Sequence, residues 1–456
     1  MCLPYSGFSK MRQIAKARSH NYSRQIKGTV IYKAVAVIAS YIAVPMMINY
    51  LGQEKFGIWS TLLSIISWIV FFDLGVGNGL RNKVAEALAK NDKSEAANYI
   101  ASGYSLIGLI ALVLWALVTG ASFFVPWKTV FNTQAISEAT LRLTVQIAVF
   151  FVVLNFWIGL ISAILGAVQK TAMMALRQLI SNILALLFIF ILTKTTDATL
   201  TYLALAYGIS LVIANIGLSG WFYQGHPELR PKPYIDKQHV SPLLSVGIQF
   251  FTIQIAVLVI FMTDKMLITQ FFGPEYVTQY DVVFKLFSII TFAHTLISAP
   301  LWSAYTDAYH RNDLFWIKNM LKKQMIIFGL IALAVIVMSV LAKPIIKLWI
   351  GNEFDTSYSL LISMGLLVLV SVWNNIFGLI LGGIGKIRLG SIYTIFTALL
   401  NIPLSYFIAV KLGFGVSGIV LGTFLSIAIS SIISPIQVYF FIYAKTKNTF
   451  IAGILR

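Results

Sequence analysis

The sequence predicts an all-α integral membrane protein of about twelve helices in two six-helix bundles, the helix length being set by the roughly 20 apolar residues that a span requires. Three observations predict it. Hydrophobic residues make up 58% of the 456-residue chain and charged residues only 11%, where a soluble domain carries about 25% charged residues. Whole stretches, 97–121 and 324–342 among them, hold no charged residue. The basic residues that remain fall mainly in the short gaps between apolar runs.

In chain order, the apolar windows predict helices near 29–50, 57–80, 97–121, 141–166, 174–193 and 199–222, then near 243–272, 276–303, 324–342, 358–383, 390–411 and 416–443. A basic segment, 1–28, with six basic and no acidic residues, precedes the first helix. No small-residue cleavage site follows the first apolar run, which therefore reads as a retained helix. The most polar connector, 223–242, carries Pro227, Pro231 and Pro233 and divides an N-terminal bundle (29–222) from a C-terminal one (243–443), with a tail at 444–456.

Orientation follows from the excess of Lys and Arg in cytoplasmic loops. With the N-terminus inside, the cytoplasmic side collects 24 of the 34 basic residues, the opposite side 7, and Lys33, Lys265 and Lys285 lie within spans. One missed span would invert every later loop, so this split supports the helix number and puts both termini in the cytoplasm.

The halves repeat. Gly52 and Glu54 recur 221 residues later as Gly273 and Glu275. At the same offset Glu86 matches Asp307, and Lys90-Asn-Asp92 matches Arg311-Asn-Asp313. Leu165-Gly-Ala-Val-Gln-Lys170 matches Leu381-Gly-Gly-Ile-Gly-Lys386 at an offset of 216. Six helices per half is an even number, so the repeat is parallel. Parallel repeats commonly form two lobes with a site between them near the bilayer midplane, and the reading is a carrier.

An ionisable side chain at the bilayer centre costs about 2.5–3.5 kcal/mol on insertion scales, so such groups face protein or water rather than lipid. The candidates are Lys33, Asp73, Asp264, Lys265, Asp281 and Lys285. Asp281 and Lys285 stand four apart, acid first, the favourable order for a helical pair, and share an arc with Ser288 and Thr295. Lys33 reads as a cavity residue or a snorkelling anchor. Lys265 projects with Gln254, and Asp264 points about 100° away. Asp73 sits off the stripe of Ser60, Ser64, Ser67 and Asn78 and precedes Gly75, Gly77 and Gly79, where a bend competes with proton carriage. Asp92 and Asp313 read as helix caps or, with Glu86 and Asp307, as a cytoplasmic gate.

Several function classes are disfavoured. The net charge of +18 is spread over loops and does not form a nucleic-acid surface. The single cysteine, Cys2, excludes a disulfide framework and a cysteine metal site. P-loop, HExxH and CxxC motifs are absent. No metal or cofactor is expected, energy must come from a gradient or partner, and an enzyme is not expected.

The run Tyr50-Leu-Gly-Gln-Glu-Lys-Phe-Gly-Ile-Trp59, then Phe72-Asp-Leu-Gly-Val-Gly-Asn-Gly-Leu-Arg81, resembles the start of Wzx-type polysaccharide (O-antigen) flippases, and Thr263-Asp-Lys-Met-Leu-Ile268 with Phe272-Gly resembles their second half. The wider superfamily includes multidrug (MATE) exporters and lipid II flippases. The resemblance implies a V-shaped, MATE-like, alternating-access carrier. It implies an undecaprenyl-pyrophosphate-linked oligosaccharide moved to the outer leaflet of a bacterial inner membrane, coupled to H+ or Na+, with a polysaccharide polymerase as a candidate partner. Lys33, Lys265 and Lys285 then suit an anionic cargo, and Asp73, Asp264 and Asp281 suit ion coupling or buried pairing. A small-molecule exporter and a membrane-embedded glycan polymerase or ligase are the competing readings.

Overall fold

A computed structural model describes residues 5–70, 75–232, 234, 236, 238–244, 262–298, 300–352, 354–386 and 388–442. Its regular elements are helical. α1 is Tyr5–Leu51, α2 Gln53–Val70, α3 Val76–Ala89, α4 Lys93–Ala121, α5 Trp127–Val130, α6 Glu138–Ile158, α7 Ile161–Ala167, α8 Thr171–Thr195 and α9 Leu200–Gly225. After a helical stretch at 238–244, α10 covers 262–271. Then follow α11 Pro274–Ser298, α12 Leu301–His310, α13 Leu314–Ile350, α14 Tyr358–Gly383, α15 Arg388–Tyr406 and α16 Gly415–Ile442.

Among the described residues ten stretches are long and apolar enough to cross a membrane. They coincide with ten of the twelve predicted windows; the other two, 57–80 and 243–272, run through residues outside the described set. The helices overrun their apolar windows, because a backbone keeps its own hydrogen bonds on both sides of the interface. α13 begins at Leu314, capped by Asp313, and so takes Lys318, Lys322 and Lys323 into the helix rather than a loop. The basic N-terminal segment is likewise helical from Tyr5.

The described residues form two compact units, one from 1–50, 70–125 and 138–251, the other from 51–69, 126–137 and 252–456. In the first, α6 and α8 pack on α9, and α3 packs on α4 and α7. Val76, Leu80, Val84, Ile100, Ile161 and Ile164 are its buried centre. In the second, α14 and α15 pack on α16. The most apolar window of α14 is 56% buried and that of α13 only 11%, so α14 is central and α13 faces lipid.

Apolar burial does not drive association between helices in lipid, so close approach of small residues does. A Cβ on Gly57 would lie 1.7 Å from the Pro274 carbonyl oxygen, and one on Gly422 2.4 Å from Ser405 Cα. α2 therefore meets the start of α11, and α15 meets α16, at backbone distance.

The internal repeat is reproduced as local geometry. Asn91 and Asn312 both adopt positive φ, 60° and 58°. The next residue caps the next helix in each case: the Asp92 carboxylate accepts from the Glu95 amide at 2.8 Å, and that of Asp313 from the Trp316 amide at 2.9 Å. The 165–170 and 381–386 turns also match, with Lys170 N–H donating to Leu165 O and Lys386 N–H to Leu381 O, both at 2.8 Å.

Candidate functional site

The intramembrane charges of the second unit form one polar cluster built on α10 and α11. Thr263, Asp264 and Lys265 are consecutive on α10, and helical geometry sends neighbours about 100° apart. Asp264 turns inward and is 1% exposed. Its carboxylate accepts from the Thr423 hydroxyl of α16 at 2.9 Å and from the Tyr280 hydroxyl of α11 at 3.2 Å. Thr423 accepts from the Asn401 side-chain amide of α15 at 2.9 Å. The Asn401 side-chain oxygen is buried with no hydrogen-bond partner among the described residues.

Lys265 turns the other way. Its ammonium lies 2.6 Å from Asp281 Oδ1, the two side chains 20% and 17% exposed. It also donates to Ser60 Oγ of α2 at 2.8 Å, and the Ser60 hydroxyl donates to the other Asp281 oxygen. Lys285 follows one turn after Asp281 on α11, half-buried. A second bridge, Thr61 to Thr269 at 2.6 Å, ties α2 to α10.

The sequence reading paired Asp281 with Lys285. The ion-pair partner observed for Asp281 is Lys265. A pair along one helix is worth only about 0.2–0.5 kcal/mol, so tertiary contacts decide which cation a carboxylate takes. The serines of the α2 stripe differ in their partners. Ser60 joins the cluster, Ser64 donates to the Met262 carbonyl, and Ser67 donates to the Leu63 carbonyl within its own helix. Ser60 and Asp281 are 221 residues apart, the offset of the repeat, so equivalent positions of the two halves touch each other here. This was the available signal for Ser60. Tyr280, Thr423 and Asn401 carried none, because neutral polar residues are common along membrane helices.

The other predicted residues lie elsewhere. Lys33 is exposed on α1 in the first unit. Asp73 and Gln254 lie outside the described residues. Glu86 pairs with Lys83 at 2.9 Å and Lys90 at 2.8 Å, and Asp307 with Arg311 at 2.9 Å, so each first repeat turn carries an acid four residues before a base. Hydrogen bonds from Lys90 first, then Lys83, hold the Glu86 carboxyl down at about 2. Among the described residues no group of three or more His, Cys, Asp or Glu is arranged to hold a metal ion.

Arg177 is one of the 24 basic residues that the charge sorting places on the cytoplasmic side. It stands inside the candidate span Thr171–Thr195, and the predicted window 174–193 already contained it. With Arg81 it lines a cavity of about 300 Å³ in the first unit.

The chain is similar to known proteins along most of its length. The family model described as polysaccharide biosynthesis protein matches residues 26–303, and the MatE model matches 251–407. A Salmonella typhimurium protein provisionally named O-antigen transporter is 22% identical over 85% of this chain and 89% of its own. A Yersinia pseudotuberculosis protein provisionally named O-antigen export protein is 22% identical over 87% of this chain and 91% of its own. Among solved structures, the inward-facing conformation of a multidrug resistance MATE family transporter of the MOP superfamily superimposes with a TM-score of 0.76 at 14% identity, covering 92% of this chain and all of that one. The fold is thus that of an all-α, multi-pass, MATE-like membrane protein.

Proposed function

The chain belongs to the polysaccharide biosynthesis protein family, and from that premise we propose that it is a flippase rather than an enzyme. Its cargo in this reading is an undecaprenyl-pyrophosphate-linked, O-antigen-like oligosaccharide. The cargo crosses a bacterial inner membrane by alternating access of the two six-helix halves, with both termini cytoplasmic and a polysaccharide polymerase taking the product. The names of the Salmonella and Yersinia relatives support the cargo class.

The observation that carries the reading is the Lys265–Asp281–Ser60 cluster with Lys285 one turn away. A pyrophosphate brings at least two negative charges that must leave water, and burying them without cations is prohibitive. Lysine is a competent point-charge partner for phosphate. Asp281 then acts as a stand-in anion that holds Lys265 when no cargo is present, and arriving pyrophosphate competes for the same ammonium. Lys33 is the remaining basic residue assigned to the cargo path.

Coupling is assigned to Asp264. Its carboxylate, the Thr423 hydroxyl and the Asn401 oxygen, which has no hydrogen-bond partner among the described residues, are oxygen donors clustered between α10, α15 and α16, suited to H+ or Na+. Asp264 and Lys265 are neighbours on α10, so a cation held at Asp264 acts on the segment that carries the cargo lysine. Each ligand then changes the other's affinity by the same factor.

The test is to locate lipid-linked repeat units by membrane side in a deletion strain. Units should accumulate on the cytoplasmic face, wild-type protein should restore export, and Lys265→Ala with Lys285→Ala should insert without restoring it. Full export by that double variant would remove both lysines from the cargo path, and units already outside in the deletion strain would end the flippase reading.

A further inference from the structure

We propose that the first unit contains a separate anion site, formed by Arg81 and Arg177, that takes a phosphate-bearing headgroup. The cavity, about 300 Å³, is lined by Asn78, Arg81, Asn155, Ser162, Met174 and Arg177 among others. That is room for a group many times the roughly 30 Å³ share of a water molecule.

α8 brings Arg177 in. Arginine seven residues into an apolar helix is disfavoured against lipid and belongs on a protein or water-filled face. Its Nε is buried with no hydrogen-bond partner among the described residues, and so is the Ser162 hydroxyl on α7. Among the described residues no carboxylate lines the cavity. Buried donors without acceptors are expensive to keep, and among the described residues no acceptor meets the Arg177 Nε, which leaves it open to an anion in the cavity. The flat guanidinium fork matches phosphate oxygens two at a time, and two such forks call for an anion with several oxygens.

α3 brings Arg81, and Gly166 near the C-terminal end of α7 makes room for it. A Cβ on Gly166 would lie 3.1 Å from Arg81 Cδ, so the arginine stem runs over a bare backbone. The break between α6 and α7 sits at Gly159, where a Cβ would lie 2.2 Å from the Asn155 carbonyl oxygen.

The second half does not repeat this chemistry. The position 221 residues after Arg81 is Trp302, whose ring would lie 2.3 Å from a Cβ on Gly382. The position 216 residues after Arg177 is Tyr393, whose hydroxyl is bonded to Ser434 at 2.9 Å. Aromatic rings occupy in one half the places that arginines hold in the other. The charged cavity is therefore a specialisation of the first unit and not a remnant of the duplicated scaffold.

Two sources can present such a group, the pyrophosphate of the cargo and the headgroup of an anionic bilayer lipid. The first rests on the proposed function; the site itself does not. The test uses the purified full-length protein and its Arg177→Gln, Arg177→Lys and Asn78→Ala variants. Each is titrated with geranyl pyrophosphate in detergent. Each is also placed in phosphatidylcholine nanodiscs containing phosphatidylglycerol, with retained lipid counted by native mass spectrometry. Arg177→Gln should weaken one of these ligands at least tenfold, with smaller losses for Arg177→Lys, which keeps charge without the fork, and for Asn78→Ala. Loss of geranyl pyrophosphate binding identifies the cargo as the source, and loss of phosphatidylglycerol identifies the bilayer. Unchanged binding of both ligands in folded Arg177→Lys and Arg177→Gln overturns the site. Geranyl pyrophosphate binding lost in Lys265→Ala but unchanged in Arg177→Gln and Arg177→Lys, with phosphatidylglycerol also retained, would overturn this site and spare the lysine reading, so the two failures are distinguishable.

Discussion

Replacing Lys265 separates a cargo lysine from a structural one. The ion pair spans 2.6 Å between side chains 20% and 17% exposed. At an effective dielectric of 20 the gross attraction is about 6 kcal/mol, but desolvating each ion costs several kcal/mol, so the intact pair is close to neutral. Removing one partner is different. Lys265→Ala removes the paired ammonium and leaves the Asp281 carboxylate to Ser60, to Lys285 one turn away and to residual water. A fully buried orphan costs about 3–5 kcal/mol, and the partial exposure here brings the expected loss to about 2–3 kcal/mol. Replacing both partners, Lys265→Met with Asp281→Leu, removes attraction and desolvation together and should fall within about 1 kcal/mol of wild type. Thermal unfolding of the solubilised proteins reads stability, and export of lipid-linked glycan in a deletion strain reads transport. The expected pattern is a lowered midpoint for Lys265→Ala, a near-normal one for the double variant, and no export from either. Export by the stable double variant would refute the argument, because the pair would then be structural and replaceable.

Gly57→Ala puts a methyl 1.7 Å from the Pro274 carbonyl oxygen and must push α2 off α11, costing about 1–3 kcal/mol or more. Gly217→Ala, which meets nothing within 4 Å, should gain up to about 1 kcal/mol in helix propensity; equal midpoints for the two would contradict the close-approach account. Asp92→Ala and Asp313→Ala each remove a helix cap, at about 1 kcal/mol. A large loss of export with only that change in midpoint would favour the gate role over the cap. The Glu86 carboxyl is held at about 2 against an ordinary 4.5, so its contribution is complete above pH 4.5 and is lost as pH falls toward 2. Amide exchange across 83–92, corrected for intrinsic rate, should stay flat from pH 8 to 5 and rise only below; a rise between pH 8 and 6 would show that another group controls this turn.

Much of the fold was legible because lipid imposes a length on every span and leaves the backbone no alternative to its own hydrogen bonds. The repeat was legible wherever a turn needs particular chemistry, as at Asn91-Asp92 and Asn312-Asp313, where a left-handed residue is followed by a cap. The candidate site was legible only in part. Helical periodicity separates Asp264 from Lys265, because that angle is local. It cannot say that Asp264 meets Thr423, 159 residues away, or that Asp281 turns to Lys265. Arg177 lies inside the window 174–193 but only three residues from its edge, where the charge sorting assigns a basic residue to the adjoining loop.

By itself, the order of residues determined the apolar spans, the duplication and the small set of charges carried into them, all of which follow from the cost of polar groups in hydrocarbon. Packing in three dimensions alone decided which of those charges meet. A side chain's direction is fixed by its own helix, but its partner is fixed by whichever helix arrives beside it. That choice made Lys265 the ion-pair partner of Asp281 and brought two arginines from separate helices to one cavity.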